Sequence, residues 1–174
     1  MNKEEEIKRG NEEIAERFNR IEVKLPASRD IAGFFETLFT GIENEFKVPF
    51  VWLTLMNTKK GAPIIAAIKS SNILKNRLSV ITPELFSQIL PPGIKPVLVN
   101  KDLQPYYKLL PSRNKYFVKS LALVPFKVND EIVGSWNNGD AAADRYEPDM
   151  ETDLLQKFAE SVSRRLTELI DADS

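Results

Sequence analysis

The chain contains no cysteine and no histidine among its 174 residues. Without them, disulfide bonds, thiolate catalysis, Cys/His zinc sites and haem ligation by either residue are excluded. A Ser-His-Asp triad is excluded for the same reason. Any catalysis would have to rely on carboxylates, lysine, tyrosine or backbone groups. We therefore expect the protein not to be an enzyme and to carry no cofactor.

The sequence also lacks an excess of charge of either sign and any long hydrophobic run. It has 24 Lys and Arg against 25 Asp and Glu, a net charge of −1. The basic residues are scattered among the acidic ones, which argues against a nucleic-acid partner. No apolar run approaches the roughly 20 residues that span a bilayer, and the first residues are too charged for a secretory signal. We expect a cytoplasmic protein with no membrane partner.

The length and hydrophobic content of the chain suit one folded domain. The 43% hydrophobic content is enough to bury the core of a domain of roughly 150 residues with a short extension. We predict an N-terminal helix over residues 1–26, followed by a single domain over 27–174 that ends in a long helix.

The N-terminal helix, predicted over residues 2–24 and ended by Pro26, carries a seam of apolar residues. They step by seven, four, three and four at Ile7, Ile14, Phe18, Ile21 and Leu25. This spacing is the a/d pattern of a coiled coil, in which Asn11 takes an a position. A single asparagine there fixes the register and favours two helices. The pattern therefore predicts a homodimer, with packing of the helix on its own domain as the alternative.

The middle of the chain alternates helices and strands. We predict a helix from about Ser28, its N-cap, to residue 46, strands over 49–56 and 64–68, a short helix after the N-cap Thr82, and an edge strand over 94–100. The last helix is predicted from about residue 148 to 170. Its apolar stripe is wide enough to cover a sheet and also meet a partner helix. The predicted dimer interface comprises Ile7, Asn11, Ile14, Phe18, Ile21, Leu155, Val162, Leu166 and Leu169.

The clearest local signal is a β-hairpin whose turn is Asn129-Asp130, two residues that tolerate positive φ. Regular pairing from this turn places Val124 opposite Ser135, Ala122 opposite Asn137 and Ser120 opposite Gly139. One face of the hairpin then carries small and polar residues. The other face carries bulky ones: Leu121, Leu123 and Trp136, with Asn138.

The last third of the chain resembles the GAF domain, a small-molecule sensing fold. The resemblance lies in "SLALVPFKVNDEIVGSWNNGD" and in "DRYEPDMETDLLQKFAESVSRRL", which is similar to a GAF-related bacterial family of unknown function (DUF484). It implies an α+β fold with an antiparallel sheet of five or six strands, terminal helices on one face and a pocket on the other. It further implies a sensory or regulatory domain that binds a small molecule and signals through dimer contacts or a downstream protein.

Several ligands of known GAF domains do not suit this chain. A bilin thioether and the methionine sulfoxide reductase branch need cysteine, which is absent. The cyclic-nucleotide motif is only half present, in Asn114, Lys115 and Phe117, because Leu121 and Ala122 stand where its two acids belong. The resemblance therefore leaves the ligand unidentified.

Candidate ligand-binding residues come from the small polar face of the hairpin, the first strand and the connection before the hairpin. They are Trp52, Thr54, Tyr107, Arg113, Lys115, Ser120, Ser135 and Asn137. Two alternatives remain open. Asn137 and Asn138 precede Gly139-Asp140, so both amides could belong to a solvated turn, and the two tryptophans could be core. The alternative function is a dimerisation or scaffold module whose pocket is empty or collapsed.

Overall fold

The computed structural model describes residues 2–111 and 116–172, which form an α+β structure around a five-stranded sheet of order β2-β1-β5-β4-β3. The helices are α1 Lys3–Glu22, α2 Ile31–Phe46, α3 Ala62–Ser70, α4 Pro83–Ile89 and α5 Asp153–Ala172. The strands are β1 Phe50–Met56, β2 Leu78–Ile81, β3 Val97–Val99, β4 Ser120–Val128 and β5 Glu131–Asp140. Short 3-10 helices cover Leu25–Ala27 and Gln104–Leu109.

Most of the predicted helices are confirmed, with shifted ends. Thr82 caps α4 as predicted, since its side chain accepts a hydrogen bond from the Leu85 amide at 3.1 Å. The cap of α2 is Asp30 and not Ser28: its carboxylate accepts from the Gly33 amide at 2.7 Å. The last helix, α5, begins at Asp153 and not near residue 148.

The predicted strand over 64–68 is wrong, because residues 62–70 form α3. Pro63 lies in the first turn of this helix, where its missing amide hydrogen is harmless, and Ile64 and Ile68 are buried one helical turn apart. A helix between two strands allows them to run in the same direction. The following strand β2, which was not predicted, therefore pairs parallel to β1. The sheet is mixed, whereas an antiparallel sheet was expected.

The hairpin turn is confirmed, but its register is not. Asn129 and Asp130 have positive φ angles of 47° and 66°. A β-bulge then follows, in which Lys127 pairs with Ile132 and Phe126 with Gly134, so Val133 has no opposite residue. The Lys127 amide donates instead to the Ser163 hydroxyl of α5 at 2.9 Å.

The bulge shifts β5 by one residue relative to β4, so each face combines residues that regular pairing had put on opposite faces. Asn137 lies opposite Leu123, and Asn138 lies opposite Ala122. The face covered by α1, α2 and α5, called here the helix face, carries Ser120, Ala122, Val124, Trp136 and Asn138. The face covered by α4 and the Gln104–Leu109 segment, called here the strap face, carries Leu121, Leu123, Ser135 and Asn137.

Only the C-terminal half of α1 packs on its own domain. The Phe18 ring lies 4.7 Å from that of Phe46 and 4.5 Å from that of Phe158. Ile21 is buried beside Gly41, where an added methyl group would come within 2.8 Å of it. Before Phe18 the helix is largely exposed, with Ile7 at 55% and Ile14 at 36%.

This packing changes the predicted dimer interface. Ile21, Val162 and Leu166 are buried in the core of their own chain, so they are not available to a second copy. Phe18, Leu155 and Leu169 are half-buried against the same core. The exposed part of the seam is Ile7, Asn11 and Ile14.

Candidate functional site

The predicted pocket residues on the strap face form a closed polar cluster. Asn137 donates from its Nδ2 to the Thr54 hydroxyl at 2.8 Å and to the Leu109 carbonyl at 3.3 Å. Its Oδ1 accepts from the Ser135 hydroxyl at 2.8 Å, and the Thr54 hydroxyl donates to the Leu109 carbonyl. All three side chains are fully buried. Every polar atom of these side chains has a partner within the cluster.

The cluster holds the Gln104–Leu109 segment against the sheet. Besides the bonds to the Leu109 carbonyl, the Ser79 hydroxyl of β2 donates to the Lys108 carbonyl at 2.8 Å. Three neighbouring strands thus supply side chains to two successive carbonyls of one segment. Buried backbone carbonyls need hydrogen-bond partners, and these polar side chains supply them to the Gln104–Leu109 segment, which crosses the sheet and is called here the strap. Asn137 is therefore neither in a solvated turn nor turned toward an open pocket.

The other candidate ligand residues lie apart from one another. Trp52 is buried on the strap face, its ring stacked at 5.7 Å on Phe50. Tyr107 is half-buried in the strap, its ring 6.3 Å from that of Tyr116. Ser120 lies on the helix face and donates to the Ala142 carbonyl at 2.8 Å. Arg113 and Lys115 lie outside the described residues.

A cavity of about 210 Å³ lies on the opposite side of the sheet, against the helix face. It is open on one side and is lined by residues of α1, α2, β3, β5, the connection between β5 and α5, and the first turns of α5. Its wall is mostly apolar and aromatic, and Ile14 and Met150 are partly exposed at its edge. The aromatic, polar and charged residues of the lining, together with Ile14, are Asn11, Phe18, Phe46, Trp136, Asn138, Arg145, Tyr146, Glu151 and Phe158.

Two buried polar atoms of the cavity wall have no partner among the described residues. They are Nε1 of Trp136, a donor, and Oδ1 of Asn138, an acceptor. Both residues are at least nine-tenths buried, at 0% and 7% exposure. Leaving a buried polar group without a hydrogen bond costs about 1–3 kcal/mol. Each such atom needs an explanation, and Ser28 Oγ and Arg165 Nε, on residues that do not line the cavity, are in the same state.

The remaining charged and phenolic groups of the wall are already engaged. The Arg145 guanidinium donates to the Phe46 carbonyl and lies 3.4 Å from the Asp140 carboxylate. Arg145 and the Asn138 amide both hydrogen-bond to the phenol of Tyr146. Burial nevertheless raises the pKa of Tyr146 to about 12, against the opposing effect of the Arg145 charge.

This pKa predicts a pH dependence of stability at alkaline pH. Because the phenolate is disfavoured by burial, the folded-state pKa lies above the unfolded value of 10.0. The contribution of Tyr146 is therefore complete below pH 10.0 and is lost as the pH rises toward about 12. Urea unfolding across this interval should show wild type losing about 2–3 kcal/mol more than Tyr146→Phe, which cannot ionise. A constant difference between the two proteins across the interval would contradict the assigned burial.

Sequence reasoning missed this cavity for a specific reason. The resemblance implied a pocket on the face away from the terminal helices. Regular pairing put Trp136 and Asn138 together on the opposite, bulky face, with a solvated turn as the alternative for Asn138, so neither was chosen as a ligand residue. The register of the hairpin was missed separately, and the residue that could have indicated it is Ser163, whose hydroxyl accepts from the Lys127 amide opposite the bulge. Nothing in the spacing of the hairpin itself predicts that contact, since Ser163 lies in another element.

Two kinds of feature are absent from the described residues. No group of three or more carboxylate, histidine or cysteine side chains is placed to hold a metal ion. None of the described helices combines the length and the apolar character needed to cross a membrane. The chain was also compared with known proteins. It matches no model of a known protein family, and no curated protein matches it.

Proposed function

We propose that this protein is a non-catalytic regulatory domain of the GAF type, which binds a small molecule in the cavity on its helix face. The observation that carries the proposal is the mostly apolar cavity of about 210 Å³, whose lining includes Trp136 and Asn138, two residues that each carry a buried polar atom without a partner. Protein ligand sites combine apolar walls with a few polar groups that orient the ligand, and this wall has that composition. The resemblance of the last third of the chain to GAF domains supports a small-molecule-binding function, but it implies a pocket on the face away from the terminal helices, so it does not support this position of the cavity.

The position of α1 supports a route for the signal. Asn11, Ile14 and Phe18 line the cavity, and Asn11 and Ile14 also belong to the exposed seam. A ligand that contacts these residues acts on the same helix that would meet a second copy. Binding and association would then be coupled reciprocally. The output is a change in the homodimer or in the docking of a downstream protein.

The ligand is tested by thermal unfolding in the presence of single metabolites. A ligand at a hundred times its Kd adds about 2.7 kcal/mol to the native state, which should raise Tm by several degrees. Trp136→Phe removes the donor and should diminish the shift. The matched control is Trp52→Phe, since Trp52 lies on the strap face and does not line the cavity. Equal losses in both variants would contradict the assigned site.

Self-association is tested at Ile7, which is exposed and does not line the cavity. Ile7→Lys places a charge in the seam and should convert the homodimer to a monomer, measured by light scattering after gel filtration. Glu13→Gln makes the same change in net charge outside the seam and should leave the dimer intact. Dimers that persist in Ile7→Lys would show that the seam of α1 is not the interface.

The second candidate function is a dimerisation or scaffold module without a ligand. It is favoured by the closed cluster on the strap face, where the predicted pocket is filled by the protein's own segment. A metabolite screen that produces no shift in wild type, together with dimers that Ile7→Lys disrupts, would support this function over the first.

A further inference from the structure

The cavity on the helix face is small for a ligand site. Its volume is about 210 Å³, whereas pockets for drug-sized ligands measure about 300–1,000 Å³. An apolar cavity of about 150 Å³ accepts benzene. The space therefore suits a molecule with one substituted ring or two fused rings, and it is too small for a nucleotide.

The wall of this cavity is built mainly from apolar side chains. The rings of Phe18, Phe46 and Phe158 line it together, with centroid distances of 4.7 Å and 4.5 Å from Phe18 to the other two. Ile14 and Met150 line its partly exposed edge. Such surfaces favour an apolar partner, and an aromatic one gains further from contact with the rings. A molecule in the cavity is therefore held mainly by the burial of apolar surface.

The charged side chains of the wall offer little to a charged ligand. Among the described residues, those that line the cavity are Arg145 and Glu151. The Arg145 guanidinium donates to the Phe46 carbonyl and lies 3.4 Å from the Asp140 carboxylate, which offsets its charge. Glu151 is exposed, and its carboxylate accepts from the two following backbone amides at 3.0 Å and 3.2 Å. A charged ligand would lose its hydration without gaining a free, buried counter-charge.

Resting on the proposed function, we infer that the ligand is an uncharged, mainly apolar aromatic compound of one ring or two fused rings. The burial of its apolar surface supplies most of the binding free energy. Nucleotides, amino acids and organic acids are excluded as ligands, because each would bring an ionised group to a wall that cannot neutralise it.

The inference is tested by calorimetric titration of wild type with two matched pairs of compounds. Nitrobenzene and benzoate have the same shape and differ in charge, and so do tert-butylbenzene and the phenyltrimethylammonium cation. We expect each neutral compound to bind at least about tenfold more tightly than its charged partner, because only the charged one loses its hydration without compensation. Benzoate would reveal an attraction by Arg145, and the cation would reveal an attraction by Glu151.

Two variants assign the binding to the cavity. Met150 lies at the cavity edge and is 41% exposed, whereas Val80 of β2 is 40% exposed and does not line the cavity. Both lie outside the seam of α1. Met150→Trp should occupy part of the cavity and weaken nitrobenzene binding at least about tenfold, and Val80→Trp should leave it unchanged. Equal affinities of the two variants would overturn the assignment to this cavity.

The outcomes separate this inference from the proposed function. A charged compound that binds wild type as tightly as its neutral partner, and binds Met150→Trp more weakly, would overturn the inference and keep the cavity as a ligand site. Failure of all four compounds to bind would also overturn it, and the metabolite screen would then decide the proposed function.

Discussion

Gly134→Ala is expected to lower the free energy of unfolding by about 4 kcal/mol, the largest effect that we predict for a single methyl group. Gly134 pairs with Leu55 across β1 and β5, immediately after the bulge. A methyl group there would overlap the Thr54 backbone carbonyl and would lie 3.0 Å from the Leu55 Cα. Both obstacles are backbone atoms of a central strand, so no side chain can rotate to relieve the overlap.

The matched control is Gly10→Ala in α1, where an added methyl group meets nothing within 4 Å. That substitution improves helix propensity and should be neutral or stabilising by up to about 1 kcal/mol. Chemical denaturation with the same protocol gives both values. A loss below about 1 kcal/mol for Gly134→Ala would mean that β1 and β5 separate easily, and the close approach of these strands would then be wrong.

Asn137→Leu is expected to lower the free energy of unfolding by about 3 kcal/mol. The substitution keeps the approximate size of the side chain but removes two donated bonds, and it leaves the Ser135 hydroxyl without its acceptor. These groups are fully buried, so no water replaces the lost partners. The strap should also loosen, which limited proteolysis at Lys108 would detect as faster cleavage.

The neighbouring residue provides the control for this experiment. Asn138→Leu changes the same side chain one position along, on the other face of the sheet, where Oδ1 has no partner to lose. It gives up only the bond between the Asn138 amide and the Tyr146 phenol, so we expect a change within about 1 kcal/mol. If Asn137→Leu proved as stable as Asn138→Leu, the buried cluster would not be what holds the strap.

Elements with strong local signals were predicted well from the sequence. The spacing of apolar residues in α1 and α2, the capping Thr82 and the Asn129-Asp130 turn each depend on neighbours within a few positions. The local physics of capping and of positive φ decides such features wherever they occur. Residues 62–70 show the limit: five apolar residues bounded by turn signals suit a strand as well as a buried helix.

The placement of the candidate site could be predicted only in part. The two asparagines were correctly identified as residues that need an explanation, and Ser135 and Asn137 do lie on the face away from the terminal helices. The role expected of Asn137 depended on an open pocket beside it. Leu109, whose carbonyl fills that space, is about thirty residues earlier in the chain and carries no polar side chain to indicate such a contact.

The sequence by itself excluded the chemistry that needs cysteine or histidine, and it predicted the α+β class and the hairpin turn. Each of these depends on residue types or on contacts between near neighbours. Only the tertiary structure decided that the Gln104–Leu109 segment covers one face of β5 and that the other face borders a cavity. The bulge at Val133 of β5 changes the register by one residue, so β5 side chains beyond it lie opposite different β4 residues than regular pairing predicts. Opposite the bulge, the Lys127 amide donates a hydrogen bond to Ser163 of α5. A contact between elements 36 residues apart leaves no local pattern in the sequence, so only the packed structure reveals it.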